Sequence, residues 1–251
     1  MDENRPESPY LEESTSGHQK YITSREKIHR IRCMVGYYAK VSAVYSPNEI
    51  WLLIPNNIAD KLVLSRDNLP PLETEIQPNS YVMTPINEKK LARARILLSQ
   101  NREVFVRLID SGKIEKRSFD QLYEMNDELR THPWQAIQVS LHNVHPQNDD
   151  AWLPHEIETL ESVLADFPYV WVDPQLTQKA INNDSEPVRV LLNGLSDEEV
   201  EIIETTQRTS YDDFGESIVD KYLIILPQVT LAPKRIIDAM AYNIYLTHSD
   251  L

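Results

Sequence analysis

Four short strand patterns follow one another between residues 80 and 118, and they restrict the fold more than any other feature of the sequence. Each pattern is rich in apolar or β-branched residues, and the links between them are short and polar. The four patterns cover residues 80–84, 91–98, 103–109 and 113–118. Short strands joined by such tight turns predict a small antiparallel barrel.

Further strand and helix patterns surround this candidate barrel. Strands are predicted before it at 38–45 and 49–54, and after it at 136–141, 169–172 and 187–192. Helical spacing of apolar residues predicts a short helix early in 58–77, a helical turn at 119–125, and helices at 150–164, 211–226 and 233–246. Ser196 begins a capping-box pattern in an acidic segment. The expected class is α+β, with most of the core in strands.

Charge and cysteine content narrow the classes of function. The chain has 25 Lys and Arg against 39 Asp and Glu, a net charge of −14. Such an acidic chain repels phosphate backbones, so direct binding of nucleic acid is not expected. The single cysteine excludes an internal disulfide and favours a reducing compartment, the cytoplasm or alternatively the nucleus. No apolar run is long enough to span a membrane.

Candidate catalytic and metal-binding residues have simpler explanations. The acidic pairs 149–150 and 212–213 stand at predicted helix starts, where aspartate is common as a cap. The histidines lack Cys or carboxylate partners at zinc-site spacing; they are His132, His142, His145 and His155. Phosphate-binding, dinucleotide-binding and nucleophile-elbow motifs are absent from the sequence. We therefore expect no enzyme activity and no cofactor.

The basic run 89–95 is the one positive cluster of the sequence. In a strand, Arg93 and Arg95 lie on one side with Leu91, while Ala92 and Ala94 take the other. An RNA-binding surface made by Lys89, Lys90, Arg93 and Arg95 is one interpretation. A polar turn with one structural arginine is the other, and the acidic flanking segments favour it.

Two parts of the barrel pattern resemble the Tudor domain family. Leu91-Ala-Arg-Ala-Arg-Ile96 is similar to the family's Trp-Tyr-Arg-Ala-x-Val, and the strand ending at Ile109-Asp-Ser-Gly112 is similar to Tyr-Ile-Asp-Tyr-Gly-Asn. The flanking elements over about residues 35–226 resemble the extended form of the domain. In that form, a Tudor barrel is inserted into an OB barrel similar to staphylococcal nuclease.

The resemblance implies a site for symmetrically dimethylated arginine, often from the tails of Piwi-type Argonaute proteins. Aromatic rings hold this weakly hydrated cation by cation–π attraction, and an asparagine binds its remaining N–H. The four aromatic positions and the asparagine fall here on Ile86, Ala92, Leu108, Ser111 and Lys113. Since none keeps the family's residue, we expect no methylarginine binding at these positions. Arg93 and Asp110 are kept, and they resemble the family's internal ion pair.

These expectations combine into a non-catalytic interaction module or scaffold in small-RNA silencing, binding a protein or peptide independently of arginine methylation. An Argonaute or Piwi-pathway component is the partner class that the resemblance implies, in the cytoplasm, perinuclear sites or germ granules. One alternative is a cage rebuilt from Tyr81, Phe105 or Tyr123, and another is RNA binding. We assign Trp51, Trp134, Trp152 and Trp171 to core or inter-barrel packing.

The same reasoning divides the chain into three parts. They are a disordered tail at 1–21, an extended Tudor domain at 22–227 with its barrel at 78–122 between flanking parts 22–77 and 123–227, and a C-terminal helix at 228–251. Core packing is the expected role of that helix, and a homodimer or partner surface is the alternative.

Overall fold

The computed structural model describes residues 27–55, 58–66, 69–73, 76–147, 151–176, 187–212 and 234–235. The strands are β1 (Tyr37–Ser46), β2 (Glu49–Leu53), β3 (Leu64–Ser65), β4 (Tyr81–Pro85), β5 (Lys90–Gln100), β6 (Glu103–Leu108), β7 (Ile114–Ser118), β8 (Ala136–Leu141), β9 (Tyr169–Pro174), β10 (Val188–Gly194) and β11 (Lys234–Arg235). The helices are α1 (Ile58–Lys61), α2 (Asp127–Thr131), α3 (Pro154–Ala165) and α4 (Asp197–Asp212). A 3₁₀ turn follows β7 at Phe119–Gln121.

The larger of two barrels is built from β1, β2, β8, β9 and β10. Its strand order is β10-β8-β2-β1-β9, and β9 pairs back with β10, which closes the sheet. Only β8 and β10 run parallel; the other pairs of this barrel are antiparallel. Alternate residues face inward, as the two-residue period of a strand requires. They form one core with α3, which contributes Leu160, Val163 and Leu164.

The smaller barrel lies between β2 and β8 in the chain and contains β3 to β7. The long strand β5 pairs with β3, β4 and β6, and β6 pairs with β7. The chain after β7 then returns to β4, where Met83 and Tyr123 exchange two backbone hydrogen bonds of 2.9 Å. This arrangement is the predicted small antiparallel barrel, inserted in a larger OB-like one.

A third cluster of buried side chains joins the two barrels. It contains Trp51 and Ala136 from the larger barrel, and Tyr81, Met83 and Leu91 from the smaller one. Strands β4 and β5 thus bury both faces, because one face fills the small barrel and the other packs against the larger barrel.

The α+β class, dominated by strands, is confirmed, and the observed strands match the predicted ones closely. The predicted helix at 211–226 lies outside the described residues beyond Asp212. Helix α4, which was not predicted from the sequence, begins at Asp197. Ser196 caps it: the Glu199 carboxylate accepts from the Ser196 N–H at 2.8 Å, and Ser196 Oγ accepts from the Glu199 N–H at 3.3 Å. The capping pattern was the correct signal for the start.

The predicted helix at 233–246 lies outside the described residues, except that Lys234 and Arg235 form strand β11 against β10. At these two positions sheet pairing replaces the expected helix. The tail 1–21 also lies outside the described residues. In the part of the chain that is described, no helix is both long enough and apolar enough to cross a membrane.

Candidate functional site

The five positions mapped from the sequence lie in the small barrel, two in its core and three in its turns. Ala92 and Leu108 are each 6% exposed and belong to the core of the small barrel. Among the described residues, the side chains of this core are all aliphatic: Val82, Ala92, Ala94, Ile96, Val104, Val106, Leu108 and Leu122, with Leu72 and Ile76 packed against them. None of the described buried or partly buried hydrophobic side chains of this core is therefore aromatic.

The other three mapped positions lie in turns. Ile86 is 42% exposed in the β4–β5 turn, and Ser111 and Lys113 lie in the β6–β7 turn. That turn folds back on its strand, since the Leu108 carbonyl accepts from the Gly112 N–H at 2.7 Å and the Leu108 N–H donates to the Lys113 carbonyl at 2.8 Å. Lys113 is exposed in this turn and adds a positive charge there.

Arg93 and Asp110 form a buried, bidentate ion pair. Arg93 Nη2 lies 2.5 Å from Asp110 Oδ1, and Nε donates to Oδ2 at 2.9 Å. The guanidinium also donates to three backbone carbonyls at 2.6–2.7 Å, those of Leu129, His132 and Pro133. Its five N–H groups are therefore all used, which a fully buried arginine requires. The pair ties the small barrel to α2 and the segment that leads into β8.

The β6–β7 turn is also tied to the larger barrel. Ser42 Oγ donates to the Ser111 carbonyl at 2.7 Å, and the Ile114 N–H donates to the Tyr45 hydroxyl at 2.6 Å. Gly112 has φ +76, and a Cβ there would lie 2.3 Å from Cγ of Trp51. Only glycine fits this approach, because the backbone is left-handed and the indole occupies the space of a side chain.

The aromatic residues considered for a rebuilt cage lie elsewhere. Tyr81 packs edge-on against Trp134 with ring centroids 6.4 Å apart, and the hydroxyl of Tyr123 accepts a short hydrogen bond from Arg66. Both tyrosines belong to the inter-barrel cluster. Phe105 pairs with Leu98 and Lys116 across the sheet, on the face opposite Val104 and Val106. The structure does not bring these three rings together around the aliphatic mouth.

The basic run does not form one surface either. Arg93 is fully buried and its donors are occupied, whereas Lys89 and Lys90 lie exposed at the β4–β5 turn. Arg95 donates from Nη2 to Asn79 Oδ1 at 2.5 Å. Among the described residues, no group of three or more His, Cys, Asp or Glu side chains could hold a metal ion.

The sequence interpretation overlooked the environment of Arg107. Its guanidinium carbon lies 4.6 Å from the ring centroid of Trp51 and 5.4 Å from that of Tyr45. Its Nη1 is 2.5 Å from Glu49 Oε1. The sequence did contain a signal for this environment, because Arg107 is a charged residue in the largely apolar strand β6. A buried charge requires a partner, and here the partner lies outside that strand.

Comparison with known proteins shows what this architecture is similar to. Residues 32–143 match the family model described as the Tudor domain. The extended Tudor domain of human TDRD1, solved with a symmetrically dimethylated peptide, has a TM-score of 0.57 at 18% identity and covers 73% of this chain and 95% of its own.

Two other solved structures give the same result. Domain TD3 of mouse TDRD1, in complex with a MILI peptide containing dimethylarginine, has a TM-score of 0.54 at 18% identity and covers 72% of this chain and 96% of its own. A point variant of the Papi extended Tudor domain of Drosophila melanogaster, with an unmethylated Piwi peptide, has a TM-score of 0.52 at 18% identity and covers 68% and 97%. No curated protein matches the sequence. The chain has the extended Tudor fold, and its residues 32–143 match the Tudor domain model.

Proposed function

We propose that this extended Tudor domain is a non-catalytic interaction module that binds a protein segment whether or not the arginines of that segment are methylated. The observation that carries the proposal is the aliphatic mouth of the small barrel. Ala92 and Leu108 pack into a core without aromatic rings among the described residues. A dimethylated guanidinium would gain no cation–π attraction from these side chains.

The magnitude of this loss decides between the two kinds of binding. Each aromatic face contributes roughly 0.5–2 kcal/mol to holding a cation. Four missing faces remove several kcal/mol from a micromolar affinity of about −8 kcal/mol. The exposed ammonium of Lys113 adds repulsion. Methylation of an arginine therefore adds little to the free energy of peptide binding at this mouth.

The solved relatives support a place in small-RNA silencing. The mouse and Drosophila domains were solved with MILI and Piwi peptides. One of these peptides is unmethylated, which is consistent with an extended Tudor fold that holds a segment without the modification. We extend this to a scaffold role with a Piwi-pathway protein as partner, in the cytoplasm or in germ granules.

A matched pair of peptides tests the proposal. Two fluorescent Arg-Gly peptides that differ only in symmetric dimethylation are titrated against the full chain by fluorescence anisotropy. We expect the two dissociation constants to agree within about twofold, since about tenfold corresponds to 1.4 kcal/mol. The extended Tudor domain of human TDRD1 is the positive control for the modified peptide, given its solved complex. A preference of about tenfold or more for the dimethylated peptide would overturn the proposal.

A further inference from the structure

Two arginines meet aromatic rings at the junction of the two barrels, and a third lies beside them. Arg30, in the segment before β1, has its guanidinium carbon 4.4 Å from the ring centroid of Trp134 and 5.9 Å from that of Trp51. These two indoles are stacked with centroids 5.8 Å apart. Arg107 from β6 approaches Trp51 at 4.6 Å. Arg95 lies directly opposite Arg107 on β5. We call these three arginines the arginine cluster.

Positive charge exceeds negative charge in the arginine cluster. Arg107 is paired with Glu49, whereas Arg30 and Arg95 make no ion pair within the described part of the chain. Arg30 Nη1 donates to Gln138 Oε1 at 3.1 Å, and Nε of Arg95 is buried without a hydrogen-bond partner among the described residues. A buried guanidinium N–H without an acceptor is costly, and an added acceptor would lower that cost.

The pKa of Arg30 is consistent with this excess. Burial lowers it first, and the nearby positive charges of Arg95 and Arg107 lower it further. Tyr81 and Glu49 act in the opposite direction without restoring the usual value. An anion placed among the three guanidinium groups would stabilise their charged forms.

A small surface pocket lies beside Arg30 and is also lined by Arg32, Gln138 and Val188, whereas Arg95 and Arg107 are not part of its lining. Arg30 and Arg95 are both partly exposed. The planar fork of a guanidinium suits bidentate binding of a carboxylate, and Arg30 uses Nη1 on Gln138.

We propose that the arginine cluster binds an acidic segment of a partner protein, through at least two carboxylates. The inference rests on the proposed function, a module that binds a partner protein, and adds a second contact with that partner at the junction of the two barrels. A peptide fits better than RNA because the chain as a whole carries −14, although residues 78–122 carry nine basic and five acidic residues. A short acidic segment is attracted by the local excess of positive charge alone. A long polyanion such as RNA is also repelled by the acidic rest of the protein.

The test uses labelled peptides of about ten residues in which Glu alternates with Gly or Ser, and a matched peptide with Gln at every Glu. Anisotropy titration of the full chain is expected to show binding of the Glu peptide that is about tenfold tighter than that of the Gln peptide. R95Q and R30Q are each expected to weaken the Glu peptide about tenfold. The matched control R102Q, in the exposed β5–β6 turn, is expected to change it less than twofold.

Several results would overturn this assignment. They are equal affinity for the Glu and Gln peptides, no binding of the Glu peptide up to about millimolar concentration, or equal effects of R95Q and R102Q. Tighter binding of a labelled single-stranded RNA of similar length would assign the cluster to phosphate instead. Melting curves of each variant identify any that fail to fold, and R30Q and R95Q provide independent readings. The Arg-Gly peptide pair decides the proposed function separately, because it reports on methylation and not on acidic residues.

Discussion

Replacing Arg93 by methionine tests the strongest electrostatic contact of the small barrel. The change keeps much of the side-chain volume but removes all five N–H donors. Asp110, whose side chain is 12% exposed, would keep only the Gln135 N–H at 3.3 Å as a described partner. The carbonyls of Leu129, His132 and Pro133 would lose their donor as well.

The size of the effect follows from the burial of the pair. Removing one partner of a buried ion pair costs about 3–5 kcal/mol, since the remaining charge is uncompensated. For a chain of this size, 1 kcal/mol shifts the melting temperature by about 2–4 °C. We expect Arg93→Met to lower the free energy of unfolding by about 3–5 kcal/mol and the melting temperature by roughly 6–20 °C.

Urea denaturation followed by circular dichroism measures this change. Lys116→Met is the matched control, because the Lys116–Glu103 pair is about half exposed on both sides and such pairs contribute about 0–1 kcal/mol. Arg93→Met combined with Asp110→Leu is expected to cost less than the two single changes added together, because no charge is left unpaired. Equal midpoints for Arg93→Met and Lys116→Met would refute the reasoning.

Three further predictions concern the turn and the single thiol. Gly112→Ala is expected to destabilise the fold by about 1–3 kcal/mol because of its left-handed backbone, with the contact to Trp51 adding to this; an unchanged urea midpoint would contradict it. Burial raises the pKa of Cys33 from 9.0 to about 11, so its reaction with a disulfide reagent at pH 8 should be roughly 100-fold slower than in urea. Equal rates in the folded and unfolded protein would contradict this. The thiol is protonated in both states below pH 9, so its burial costs no stability there; as the pH rises from 9.0 to about 11, the unfolded state releases its proton first and the fold loses stability. Ser111→Tyr with Lys113→Asn should restore one ring and one acceptor, raising affinity for the dimethylated peptide about threefold to tenfold over the unmodified one; no change in that ratio would show that these positions do not border the ligand.

Local pattern was enough to predict most of the strands. Strand 136–141 is observed over the same residues, because its apolar run is bounded by residues that break a sheet. The pattern failed where the local sequence favours a helix but the residues pair as a strand. Residues 234–235 pair as a strand with β10, although their segment has helical spacing. Partners far away in the chain decide such short pairings, and a local pattern contains no information about them.

Part of the candidate site could likewise be predicted from residue types alone. The residue types at positions 86, 92, 108, 111 and 113 predict that these positions supply no ring, since none of these side chains has a π face in any fold; that they border a ligand stays a prediction. The identity of Arg93 and Asp110 likewise indicated a pair, and the structure places them together at hydrogen-bond distance.

The arginine cluster could be recognised only in the tertiary structure. Arg30 and Arg107 lie far apart in the sequence, and insertion of one barrel in the other brings both to the same pair of indoles. Chemical type is a property of each residue and can be read along the chain. Proximity arises only when non-local strands pair and bury a shared surface, so the excess of positive charge at the junction was set by the fold.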